Sequence, residues 1–182
     1  VQAFATQGYL DGDEAFPAVA LQNDGRFMVV WDLLRPDDKF DVFARLFGAS
    51  ANATGDSFLV HQSTEADEGL PNVAVDNNGG FVVTWCESNA DAVFARWFDA
   101  TGRPLGDELR VSEPRDRGHI QANPAVSLNG DVVVVWRPNA ASPDTDRDIR
   151  ARILSGPLTV FAGETARKVG TCSVTWSLNL TN

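Results

Sequence analysis

Pro71-Asn72-Val73-Ala74-Val75-Asp76-Asn77-Asn78-Gly79-Gly80-Phe81-Val82-Val83-Thr84-Trp85 sets two apolar runs on either side of a cluster of Asp, Asn and Gly. Asn and Gly accept positive φ, so the cluster reads as a tight turn and the stretch as a β-hairpin. The second run is apolar on both faces, which marks a strand covered on both sides. The same pattern runs from Pro17-Ala18-Val19-Ala20 to Trp31 and from Pro124-Ala125-Val126-Ser127 to Trp136. The prolines stand 54 and 53 residues apart and the tryptophans 54 and 51 apart. Self-similarity at this period is the mark of a repeat architecture, in which no unit buries its own apolar face alone.

Each repeat carries two further runs. The third is Val42-Phe43-Ala44-Arg45-Leu46-Phe47, answered by Val93-Phe94-Ala95-Arg96-Trp97-Phe98 and Ile149-Arg150-Ala151-Arg152-Ile153-Leu154. The fourth is Phe58-Leu59-Val60, then Leu109-Arg110-Val111, then a curtailed Leu158-Thr159-Val160. No stretch shows a convincing helical period, so the expected fold is all-β: β-propeller-like blades of four antiparallel strands, three full repeats and a shared or incomplete fourth.

We expect a single repeat domain over 1–182. Residues 1–15 read as the strand of a preceding blade and its connection, 16–70, 71–123 and 124–160 as the repeats, and 161–182 as a tail and partial fourth blade. Cys172-Ser173-Val174-Thr175-Trp176 echoes Phe81 to Trp85 and reads as the second strand of that last blade. Residues 1–5 would complete it, closing a four-bladed ring and covering exposed sheet edges. The alternative is an arc that closes as a homo-oligomer.

The formal charge is −10, from 15 basic and 25 acidic residues. Such a surface repels phosphate backbones and anionic lipid, so nucleic acid and membrane are not expected partners. No apolar run reaches membrane-span length, and the N-terminal residues lack a signal pattern, so an exported form has its signal already removed.

The pattern P-x-V-A, D/N-G-x-F-V-V-x-W, F-A-R-x-F-D-A-x-G-x-P-L-G-D-E, clearest from Pro71 to Val111, resembles a repeat of bacterial secreted and surface proteins, among them large calcium-binding adhesin-like ones. The resemblance spans about 16–154 and implies an extracellular or cell-surface propeller-type repeat. The third repeat departs from it by losing the G-x-P-L-G-D-E hairpin. The plan is also similar to that of small lectins built from a few blades.

Four residues are candidates for ligand binding: Arg45, Arg96 and Arg152, which recur once per repeat, and Trp97, which replaces Leu46 and Ile153 at its position. Guanidinium beside indole is a common way to hold a sugar or carboxylate, whereas the structural reading makes each Arg a tie between blades. Asp144, Asp146 and Asp148 alternate as a calcium ion requires, with Asp37, Asp38 and Asp41 in the corresponding loop of the first repeat and Asp11-Gly12-Asp13-Glu14 a further acidic group. Calcium is therefore the candidate cofactor, the alternative being that these are ordinary solvated loop charges. His61 and His119 fall at non-equivalent places, no nucleophile or phosphate-loop motif is present, and no carboxylate pair stands out, so no catalysis is expected. Cys86 and Cys172 are read as unpaired in a closed ring. Asn52-Ala53-Thr54 and Asn179-Leu180-Thr181 match a glycosylation sequon that acts only in a eukaryotic secretory pathway.

The expected function is a non-catalytic extracellular module that binds a glycan or a partner protein. A structural unit assembling through exposed blade edges is the alternative, and a propeller glycosidase the second alternative.

Overall fold

The computed structural model describes residues 13–63, 65–88, 91–113, 119–138, 149–155 and 174–178. These residues contain no helix and form three four-stranded antiparallel sheets. The first holds β1 (Glu14–Leu21), β2 (Phe27–Leu34), β3 (Phe40–Phe47) and β4 (Phe58–Leu59) in that order. The second repeats the plan with β5 (Glu68–Val75), β6 (Phe81–Glu87), β7 (Ala92–Phe98) and β8 (Leu109–Arg110). The third holds β9 (His119–Val126), β10 (Asp131–Pro138), β11 (Ile149–Ser155) and β12 (Val174–Leu178).

The Asn/Gly clusters make the turns between the first two strands of each sheet, with Gly25, Gly79 and Gly130 at φ 87°, 82° and 84°. Each first strand also carries a bulge, before Ala18, before Asn72 and between Ile120 and Asn123. In all three a non-glycine residue adopts positive φ there: Phe16 at 48°, Leu70 at 55° and Gln121 at 45°. Pro17 and Pro71 sit in the bulge, where a missing N–H removes no ladder bond.

Ladder register corrects one sequence alignment. Ala18, Asn72 and Asn123 pair with Val30, Thr84 and Val135, each one residue before its tryptophan. Pro124 therefore occupies the place of Val19 and Val73, and Ala122 that of Pro17 and Pro71. The third motif is displaced by two residues, and because side chains alternate with period two the displacement keeps every residue on its expected face.

A second correction concerns the tail. Val174–Leu178, expected as the second strand of a further blade, instead pairs antiparallel with β11 as the outer strand of the third sheet. The tail thereby protects the edge of β11. Residues 1–5 and 158–160 lie outside the described residues.

The sheets stack in series through their first strands, β1 on β5 and β5 on β9. One core joins Met28 and Val30 to Val73, Phe81, Val83 and Trp85; another joins Val82 and Val93 to Val132, Val134 and Trp136. Trp31, Trp85 and Trp136 hold equivalent places on the second strands and are 4%, 1% and 2% exposed. Toward the two ends of the series some outward positions are exposed. Val19 is 62% exposed where Val73 is 6%, and Val133 is 36% exposed where Met28 and Val82 are 0% and 1%.

Candidate functional site

The recurring arginines fasten one sheet to the next. Arg96 donates from Nη1 to the carbonyl of Val60, just past β4, and from Nε to Gly106. Arg152 repeats the first bond toward Val111, at 2.7 Å, just past β8. Arg45 donates to Gly55 within its own sheet. The three stand on three different sheets, each engaged with backbone carbonyls. Trp97 is half-buried against the core between the second and third sheets, where its indole N–H meets no hydrogen-bond partner among the described residues.

Asp144, Asp146 and Asp148, like Cys172, Asp11 and Gly12, lie outside the described residues. The corresponding loop of the first repeat does not act as one cluster: Asp37 and Asp38 are exposed, Asp37 lying 3.3 Å from Arg35, while Asp41 turns into the protein. There it meets His61 and Glu68, one ligand-type atom of each lying within 4.8 Å of the others. Burial pushes the Glu68 carboxyl up to about 8, with the charge of Glu87 adding to it, and burial lowers His61. His61 has both ring nitrogens in use: Nε2 accepts from Val42 N–H at 3.2 Å, and Nδ1 donates to the Ser63 carbonyl. Arg35 lies 3.5 Å from Asp41. A metal ion would displace a ring hydrogen bond and sit beside a guanidinium, so this group reads as a buried polar network between the two sheets. Between the second and third sheets the places of Asp41 and His61 are taken by Ala92 and Ser112, and Ser112 Oγ accepts from Val93 N–H as His61 does from Val42.

A cleft of about 280 Å³ opens between the first two sheets near this network. Of its lining residues Asp32 and Cys86 are buried, Phe40, Asp67, Leu70 and Glu87 are half-buried, and Phe16, Ser88 and Asp91 are exposed. Asp32 is 2% exposed. Its Oδ2 accepts the backbone N–H of Leu70 at 3.1 Å, spanning the sheets, and its Oδ1 has no hydrogen-bond partner among the described residues. Burial pushes the carboxyl up to about 7; the Leu70 bond opposes the shift and the charge of Asp67 adds to it. The approach is close enough that a Cβ on Gly69 would meet Asp32 Oδ2 at 3.0 Å.

Sequence reasoning passed over Asp32. The signal was its position: the residue after the repeated tryptophan is Asp32, Cys86 and Arg137 in turn, three chemistries directly after a residue that does not vary.

No family model matches the chain, and no curated protein matches it. Among solved structures, the Hadza microbial sialidase Hz136 matches with a TM-score of 0.55 at 15% identity. The match covers 78% of this chain and 34% of the sialidase, so the chain spans about a third of that protein's length. The likeness is one of fold: sheets stacked as blades, of β-propeller type. No helix among the described residues is long and apolar enough to cross a membrane.

Proposed function

We propose that this chain is an extracellular, non-catalytic binding module of propeller type that takes a group from a glycan or a partner protein into the cleft between its first two sheets. The observation that carries the reading is Asp32, a carboxylate at the floor of a cleft with one oxygen committed to the fold and the other unmatched. Burying such an oxygen costs free energy, and the repeat does not require it, since Cys86 holds the same place at the next junction. Ligand sites combine apolar walls with a few converging polar groups, and Phe16 and Phe40 beside Asp32 and Asp67 have that composition. Calcium in the loop of Asp144, Asp146 and Asp148 belongs to this proposal on sequence alone.

The test is a glycan array together with amide chemical-shift mapping. Binding that moves the signals of Leu70 and Ser88 and is lost in Asp32→Asn supports the module; a ligand mapping to the opposite ends of the strands defeats it. A second reading, assembly through the outer sheet faces, is favoured by the exposure of Val19, Leu21, Val133 and Ile153, and a single monomeric mass at high concentration would sink it. The glycosidase alternative has in its favour a carboxyl held near 7, as a general acid requires, and fails if aryl glycosides are not hydrolysed.

A further inference from the structure

We propose that the group this cleft accepts is an alkylammonium, the side chain of a lysine presented by a partner protein. The inference rests on the reading of the cleft as a ligand site and adds the chemistry of what enters it.

Hydrogen-bonding capacity points first to the class. The side-chain oxygens that line the cleft belong to Asp32, Asp67, Glu87, Asp91 and Ser88, and no lysine or arginine is among the lining residues described. An ammonium carries three donors and no acceptor, so it suits a wall of acceptors; a neutral sugar hydroxyl needs both kinds of partner. Asp32 adds the specific demand. Its unmatched Oδ1, on a residue 2% exposed, is a buried acceptor for which a charged donor is the strongest complement. Nearby cations are engaged elsewhere: Arg35 bonds the Ala66 carbonyl and pairs with Asp37 and Asp41, and Lys39 bonds the Glu65 carbonyl.

Shape selects the source. At about 280 Å³ the cleft lies at the lower limit for small-molecule sites, enough for one side chain rather than several sugar rings. Phe16, 57% exposed at the rim, with Phe40 beside it, gives an apolar passage for a methylene stem and aromatic faces for a cation, while the acceptor waits at the bottom. A flexible stem with a charged tip is the shape of lysine.

The experiment titrates the ¹⁵N-labelled chain with Nα-acetyl-lysine methylamide, its Nζ-acetylated neutral analogue, a glucosamine trimer and an N-acetylglucosamine trimer. The expected result is saturable shifts of the Gly69, Leu70 and Ser88 amides with the lysine amide, none with the neutral analogue, and affinity about tenfold weaker or worse in Asp32→Asn. Asn keeps an acceptor for Leu70 N–H, and Asp67→Asn reads the same charge dependence should Asp32→Asn not fold. Exposed Asp56→Asn, away from the cleft, should change nothing. Equal binding of the acetylated analogue, or an unaffected Asp32→Asn, overturns the inference. Shifts with the glucosamine trimer alone overturn the lysine source, and shifts at these amides with the N-acetylated trimer alone overturn the ammonium while leaving the module intact. Silence from all four overturns both.

Discussion

Asp32 on β2 accepts the backbone N–H of Leu70 across the first sheet junction, and Cys86 on β6 meets the backbone of Gln121 and Ala122 in the same way across the second. Both receive the left-handed bulge of the following sheet, one with a carboxylate and one with a thiol that burial holds neutral, its pKa raised to about 11. The bulge amide needs an acceptor; its identity is open to choice.

Asp32 should make stability depend on pH. Its folded pKa of about 7 lies above the ordinary 3.8, so the native state holds a proton that the unfolded chain has lost. The contribution is fully present below about pH 4 and disappears as pH rises through 7. Urea unfolding at pH 5 and pH 8 should show wild type losing about 2–4 kcal/mol more than Asp32→Asn over that interval. Parallel losses in the two proteins would contradict it.

Trp85 fills the junction between the first two sheets, stacked on Phe94 with centroids 5.9 Å apart. Trp85→Ala should cost about 3–5 kcal/mol by chemical denaturation, and a loss below 1 would mean the sheets do not depend on this packing.

Arg96→Met removes the donor to the Val60 carbonyl while preserving much of the stem. We expect a loss of about 1–3 kcal/mol with ligand binding unchanged once the protein is folded. Loss of binding at full stability would return the arginines to the ligand site.

Gln121 is exposed and sits at φ 45°, strained for any residue with a Cβ. Gln121→Gly should stabilise by about 0.5–1 kcal/mol, read as a raised urea midpoint at unchanged slope. At Leu70 the same change should bring no gain, since that side chain packs between the second and third sheets.

Calcium at Asp144, Asp146 and Asp148 would stabilise only the native state, so a chelator should lower Tm and Asp146→Asn should erase the effect. An unchanged Tm would leave these as solvated charges.

Most of the scaffold could be read from the chain because its signals are local and repeated. Asn/Gly turns at fixed distance before Trp31, Trp85 and Trp136 locate the hairpins, and runs such as Val82-Val83 declare burial on both faces. The bulge was hidden, because Phe16, Leu70 and Gln121 are residues that propensity keeps out of positive φ, and Leu70 and Gln121 meet acceptors contributed by the preceding sheet. The outer strand of the third sheet was misread because pairing of Val174–Leu178 with β11 spans about twenty residues of intervening chain, and no short motif encodes such a partnership. The cleft is a difference between repeats, and a search for what repeats passes over it.

The second sheet is covered by a described sheet on both faces, while the first and third have such a neighbour on one face and carry exposed residues such as Val19 and Val133 on the other. Protection against amide exchange should therefore fall outward along the series. Protons of Val83 and Trp85 should be released only by global opening, whereas those of Val29 and Val133 escape through partial openings of an outer sheet. The cleft lies at a junction whose one partner is that looser first sheet, so a ligand held there acts as a clamp, and occupancy should be legible as slowed exchange along β2 far from any atom the ligand touches.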